Sequence, residues 1–306
     1  MLTAMTVSFS ALSEDELRML SRQLCNALEP CVAVSYSSTC HGLRVLTQED
    51  LQHLRARHEA ATALCPKLGM RSCKELREAR EVYQIFWHDR LFSAADLATL
   101  GSLGAVLPAL EQLHVFEEYS DVEPARAVVV PNAVLRLAAG LGAGALPAMT
   151  VLELTNMHSC MGDAGALALA AALGRGALPR IKTLMLNNAA IRDAGLVALA
   201  PALRRLPALE QLYFTNNPLS DEGVSALVAP LPEADALSPP KSAVLPKLKV
   251  LYLRYTQITD AGCAALASAL ERRALPALER LGLDGIPASA VAKNAVYVRT
   301  SMSYRV

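Results

Sequence analysis

A Leu-Pro phrase recurs along the chain, at Leu107-Pro108, Leu146-Pro147, Leu178-Pro179, Leu206-Pro207, Leu245-Pro246 and Leu275-Pro276. The prolines are spaced 39, 32, 28, 39 and 30 residues apart. Each is followed two residues on by an apolar residue, then by a Leu-x-Leu type pair such as Leu184-Met185-Leu186, Leu212-Tyr213-Phe214 or Leu251-Tyr252-Leu253. Five residues beyond the pair comes another apolar position (Ile191, Leu219, Ile258), and then an Asp-x-Gly. That triplet reads Asp163-Ala164-Gly165, Asp193-Ala194-Gly195, Asp221-Glu222-Gly223 and Asp260-Ala261-Gly262. Each copy closes on a Leu/Ala run such as Leu196, Leu199, Leu203. A period in this range leaves few architectures, because one such unit cannot bury its own apolar face and must stack on its neighbours.

The parts of the phrase have separate physical readings. The Leu-x-Leu pair alternates at period two and reads as a short strand with one buried face. The Leu196, Leu199, Leu203 spacing is helical, and the alanines around it let helices approach closely. An Asp after Ser or Thr, as in Ser220-Asp221 and Thr259-Asp260, suits a helix N-terminus by capping and by charge–dipole attraction. The proline ends one helix and turns the chain toward the next strand.

With these copies in register, the phrase resembles the ribonuclease-inhibitor type of leucine-rich repeat, a type also found in NOD-like receptors and in Ran GTPase-activating proteins. The resemblance implies an α/β solenoid, with a curved parallel sheet on the concave face and helices on the convex face. Six to seven units span residues 81–286, the first a degenerate copy marked by Ile85-Phe86-Trp87, Phe92, Ala95-Asp96-Leu97 and Leu100. The family asparagine, three after the strand pair, is present as Asn217 alone. Arg90, Glu118, Met157, Ala189, Thr256 and Ile286 fill the same slot, so less regular turns are expected there.

The flanks differ. Residues 1–80 lack the repeat and carry three capping-box patterns, Ser13-x-x-Glu16, Thr47-x-x-Asp50 and Ser72-x-x-Glu75. Helices are expected near 14–28, 48–64 and 73–80, forming an N-terminal cap for the array. Pro287 opens an Ala/Val-rich helix to about Val298 that would seal the other end, within a terminal segment 287–306. Two long units carry insertions, an acidic one in 117–131 directly after a strand and a Ser/Pro-rich one in 233–244 after a helix.

Charge and motifs narrow the function. Lys plus Arg and Asp plus Glu each total 29, a balance unlike that of a nucleic-acid binder. No segment reads as a signal peptide or a bilayer span, and a cytoplasmic monomer is expected. The seven cysteines match no zinc template, and reduced thiols are expected. No nucleophile elbow, P-loop or zinc-protease motif occurs, and Gly140 to Gly144 reads as a helix C-cap. No histidine stands at ligand spacing from a cysteine or carboxylate, and His53 and His58 read as solvated. No enzyme, cofactor or metal is therefore expected.

Binding would fall on the outward strand positions. The middle row reads Phe86, His114, Glu153, Met185, Tyr213, Tyr252, Gly282, and two places on come His88, Phe116, Thr155, Asn187, Thr215, Arg254, Asp284. Tyr213, Tyr252, Arg254 and Tyr255 form the first candidate patch, since Tyr and Arg dominate interface hot spots. Phe86, His114 and Phe116, with Glu153, form the second. The leading expectation is a non-catalytic protein-interaction scaffold binding a protein partner on the concave face. The resemblance to Ran GTPase-activating proteins also implies regulation of a small GTPase.

Overall fold

A computed structural model of the chain describes residues 12–86, 93–116, 133–158, 160–230 and 243–300, without the side chains of 83–86. The 117–131 insertion, nearly all of the 233–244 insertion, and Trp87, His88 and Phe92 lie outside the described residues. The chain divides into two compact units, residues 1–77 and 78–306.

The first unit is helical. Helix α1 runs Glu14–Leu24, and Ser13 with Glu16 makes both bonds of its capping box. It stops short of residue 28 because Asn26 Oδ1 accepts the Leu28 N–H, turning the chain before Pro30. Two further helices, α2 Cys31–Ser38 and α3 His41–Leu46, were not expected from the sequence. Helix α4 spans Gln48–Lys67 and α5 Cys73–Glu78. The Thr47 box does not form. The Thr47 hydroxyl is buried and lies 2.7 Å from the Leu43 carbonyl and 2.8 Å from Ser37 Oγ. His58, expected in solvent, is half-buried with Nδ1 2.7 Å from the Ala27 carbonyl. Cys65 and Cys73 are buried with their sulfurs 4.0 Å apart. Burial, reinforced by Cys73, pushes the Cys65 thiol up to about 12, so it stays protonated.

The second unit is the repeat array. Strands β1 Glu81–Phe86, β2 Gln112–Phe116, β3 Val151–Thr155, β4 Thr183–Met185, β5 Gln211–Tyr213, β6 Val250–Tyr252 and β7 Arg280–Gly282 form one parallel sheet in chain order. Between and after them run α6 Ala94–Ser102, α7 Ala133–Gly140, α8 Gly162–Gly174, α9 Asp193–Leu203, α10 Asp221–Val228, α11 Asp260–Glu271 and α12 Ala290–Arg299, each packed on the next. This is an α/β leucine-rich-repeat solenoid. The strand pairs Leu152/Leu154, Leu184/Leu186, Leu212/Phe214, Leu251/Leu253 and Leu281/Leu283 are all buried, as are Leu196, Leu199 and Leu203 on the helical side. Those two apolar sets are the core, and about 25 cal/mol per Å² of buried apolar surface drives the stacking.

The Asp-x-Gly triplet works across units rather than within one. Asp193 Oδ1 accepts the Ser220 N–H at 2.8 Å and the Gly223 N–H at 3.0 Å, both at the start of the following helix. Asp163 does the same for Arg192 and Gly195, and Asp221 for Thr259 and Gly262. Asp260 accepts from Ser289 at the start of α12. The carboxylate therefore caps the next helix, not its own. The glycine is the place where that carboxylate arrives: a Cβ on Gly223 would stand 2.6 Å from Asp193 Oδ1, and one on Gly262 2.4 Å from Asp221 Oδ1.

The turns after the strands are more regular than the missing asparagines imply. Asn156, Asn188, Asn216, Tyr255 and Gly285 all occupy one turn position with φ between 53° and 69°. The first four donate their N–H to a carbonyl in the following unit, at 2.8–3.0 Å. Asn217 sits buried beneath its turn, donating to the Leu186 and Phe214 carbonyls and accepting from Ala189 and Ile191. Where Thr256 replaces it, the hydroxyl donates to the Leu253 carbonyl at 2.8 Å.

Among the described residues no strand follows β7 in the sheet. In earlier units the residue just past the strand donates its N–H to the next strand, as Phe214 does to Tyr252 and Leu253 to Gly282. At β7 the Leu283 N–H instead meets the Tyr297 hydroxyl of α12 at 3.1 Å. Tyr297→Phe should lower stability by about 1–2 kcal/mol, since it leaves that donor unsatisfied. Faster exchange of the Leu283 amide in hydrogen-exchange NMR is the direct check.

Candidate functional site

The strand register decides which outward side chains are neighbours. Glu153 pairs with His114 and Met185, Met185 with Tyr213, Tyr213 with Tyr252, and Tyr252 with Gly282. The middle row thus stands as expected from β2 to β7. Phe86 is the exception. A register shift between Val82 and Ile85 sets it opposite Phe116, one row from His114.

The tyrosine patch is assembled by three strands and a turn. The Tyr213 and Tyr252 rings meet edge to face, centroids 5.1 Å apart at 87°, a favoured aromatic geometry. The Arg254 guanidinium lies 4.6 Å from the centre of the Tyr252 ring, within cation–π range. Arg254 Nε is also 2.8 Å from Asp284 Oδ2, but that N–H is aimed at no acceptor. With Arg254 42% and Asp284 62% exposed, this is a solvent-screened pair of small worth. Gly282 makes the room: a Cβ there would fall 2.7 Å from Arg254 Nε and 3.0 Å from the Tyr252 ring. The Tyr213 hydroxyl donates to Gln211 Oε1 at 2.9 Å. Burial raises the Tyr213 phenol above its ordinary value, with Tyr252 adding to the rise and Arg280 opposing it. Tyr255 stands at the turn, 61% exposed, its ring lying against Gly285.

The second candidate group is differently occupied. His114 Nδ1 lies 2.6 Å from Glu153 Oε2, and its Nε2 3.3 Å from Gln112 Oε1. Gln112 donates to Glu81, and Thr155 donates to the other Glu153 oxygen. His114 and Glu153 are 39 residues apart, so linear spacing hid a pairing that parallel register creates. The side chains are only 10% and 24% exposed. These polar groups satisfy one another across β1 to β3, leaving less for a partner than the tyrosine patch does. Phe116 is half-buried at the end of β2, next to Thr155.

Among the described residues no group of His, Cys, Asp and Glu is placed to hold a metal ion, and no helix is long and apolar enough to cross a membrane. A groove of about 770 Å³ in the helical unit, lined by Glu14, Arg18, Arg22, Val45, Glu49 and Asp50 among others, was not apparent from sequence. Its charges lie on separate helices that only folding brings together, with Arg22 3.8 Å from Asp50.

The leucine-rich repeat family matches residues 206–228 and 244–267. A ribonuclease inhibitor of Sus scrofa is 36% identical over 96 residues, 31% of this chain and 18% of the inhibitor. The matched stretch thus spans under one fifth of that relative. Among solved structures, leiomodin-1 actin-binding site 2 aligns at TM-score 0.36 and 16% identity, covering 48% of this chain and 76% of the other. A chain of the yeast Rad7–Elc1 complex aligns at 0.30 and 11% identity, covering 86% and 78%. Matched repeats in sequence, a parallel sheet in strict chain order and the repeated capping carboxylate agree on a leucine-rich-repeat fold, similar to the ribonuclease-inhibitor type.

Proposed function

We propose that the chain is a non-catalytic interaction scaffold that holds a protein partner on its concave face, with Tyr213, Tyr252, Arg254 and Tyr255 as the anchor. Leucine-rich-repeat proteins generally mediate protein–protein interaction, and a row of outward side chains on a rigid sheet suits that task. One observation carries the choice of anchor: an edge-to-face tyrosine pair with a stacked guanidinium, part-exposed on the sheet. Aromatic and Arg side chains fixed in this way lose little entropy on binding and dominate measured hot spots. Arg254 is stacked and ion-paired rather than extended, which lends no support to a GTPase-activating role.

The test is affinity purification with mass spectrometry from cells that express the protein, comparing wild type with Tyr213→Ala/Tyr252→Ala. Recovery of the specific partner should fall at least about tenfold, equivalent to about 1.4 kcal/mol. The melting temperature should move only slightly, because both rings are part-exposed. Undiminished recovery would remove this patch as the anchor.

A further inference from the structure

We infer that the β4–β7 half of the strand face receives an acidic, carboxylate-bearing segment of a protein, with Arg280 as its principal cation. This rests on the concave-face reading and adds the chemistry of the partner. The chain is neutral overall, but its sheet is not evenly charged. Around β1 to β3, Glu81, Glu111 and Glu153 outnumber Arg80, which lies 3.5 Å from Glu111. Around β4 to β7, Lys182, Lys247, Lys249, Arg254 and Arg280 outnumber Glu210, Glu279 and Asp284.

The carboxylates in that second half are over-committed. Glu210 accepts from Lys249 at 2.8 Å and also lies in the fields of Lys182 and Lys247. The Lys249 hydrogen bond, followed by the charges of all three lysines, holds its carboxyl below the usual range despite some burial. Asp284 answers Arg254 only through a part-exposed side-chain pair whose Nε–H, itself covered, is aimed at no acceptor, which leaves the rest of the guanidinium charge for an incoming carboxylate. Arg280 is exposed and has no ion pair among the described residues. Its charge already reaches Tyr213, on the ring that forms the floor of the patch.

Tyr255 supplies an independent argument. Its turn position is left-handed, φ 54°, and the matching positions hold Asn156, Asn188, Asn216 and Gly285. Asn and Gly tolerate this backbone readily; Tyr255 is the one departure at this turn position, although Leu146, Leu178, Ala190 and Arg273 adopt a similar φ elsewhere among the described residues. Burial does not compensate, since the ring is 61% exposed. The turn thus holds an exposed aromatic ring beside Arg254 where the other units hold Asn or Gly. A segment laid along β5 to β7 would set carboxylates against Arg280 and Arg254 and its chain against the Tyr213, Tyr252 and Tyr255 faces.

Fluorescein-labelled decapeptides test this by anisotropy on the full chain: one Glu-rich, one Lys-rich and one of Gly and Ser. The Glu-rich peptide should bind best, and weaken at least about fivefold between about 50 and 200 mM salt. Arg280→Glu should weaken it at least about tenfold and Arg280→Gln by less. Tyr255→Asn should weaken it while raising the melting temperature. Equal or tighter binding of the Lys-rich peptide, no binding of any peptide, or indifference to Arg280→Glu in a protein with unchanged circular dichroism would overturn the inference. If Tyr213→Ala/Tyr252→Ala still abolishes partner recovery in that event, the anchor stands and only the acidic chemistry fails.

Discussion

Replacing Asn217 by Ala should destabilise the array by about 3–5 kcal/mol, among the largest effects of any single side chain outside the leucine core. The asparagine is 2% exposed, and its amide is used at both ends. Oδ1 accepts from Ala189 at 3.1 Å and Ile191 at 3.0 Å, while Nδ2 donates to Leu186 at 2.7 Å and Phe214 at 3.0 Å. Alanine would leave two buried N–H groups and two carbonyls short of partners, each costing about 1–3 kcal/mol if unrelieved. Urea unfolding measures the total. Native-state hydrogen exchange locates it: the Ala189 and Ile191 amides should lose protection, whereas amides of β2 and β3 should not. Uniform loss across the sheet would contradict a local role.

Gly262→Ala should also destabilise, by about 2–3 kcal/mol, and the sign is the informative part. Gly262 is in the first turn of α11, where alanine's helix preference alone would stabilise by up to about 1 kcal/mol. The opposite is expected because the new methyl would sit 2.4 Å from Asp221 Oδ1 and 2.7 Å from Ile258 Cγ2. It would displace the carboxylate from the Thr259 and Gly262 N–H groups, at 2.8 and 2.9 Å, and from the Thr259 hydroxyl at 2.6 Å. Charge-assisted bonds of this kind are about twice as strong as neutral ones. Asp221→Ala loses the same bonds without the clash, so the two substitutions should be strongly non-additive in thermal or urea unfolding. A coupling energy below about 0.5 kcal/mol would show that glycine and carboxylate act independently.

The repeat made most of the second unit legible. A period-two pair and a helical stripe in register give strands, helices and the buried set, because both periodicities are local consequences of backbone geometry. They also place Tyr213, Tyr252 and Arg254 together, as parallel strands align equivalent positions, with Tyr255 on the adjoining turn against Gly285. What the sequence hid was of another kind. The Asp221 and Asp260 carboxylates, expected at the N-termini of their own helices, instead reach across units to the next one. The Phe86 row was lost to a register shift that no residue type announces. His114 and Glu153 meet only through the sheet. In the helical unit, α3 is capped by the Cys40 sulfur, at 3.5 Å from the Leu43 N–H, and α2 starts at Pro30 with no side-chain cap. Neither bears a Ser, Thr, Asp or Asn signature, and both went unread.

The direction of the carboxylate bonds gives the array a sense of construction. Asp163, Asp193 and Asp221 each belong to the earlier unit and serve the later one. A nascent chain emerges in the same order, N-terminal domains folding first. Each acceptor therefore precedes in the chain the helix that needs it, so a later unit adds to an edge that already carries its cap. Truncation from the C-terminal end removes clients and spares their providers; truncation from the other end to just before α9, α10, α11 or α12 strips the first remaining helix of its anchor.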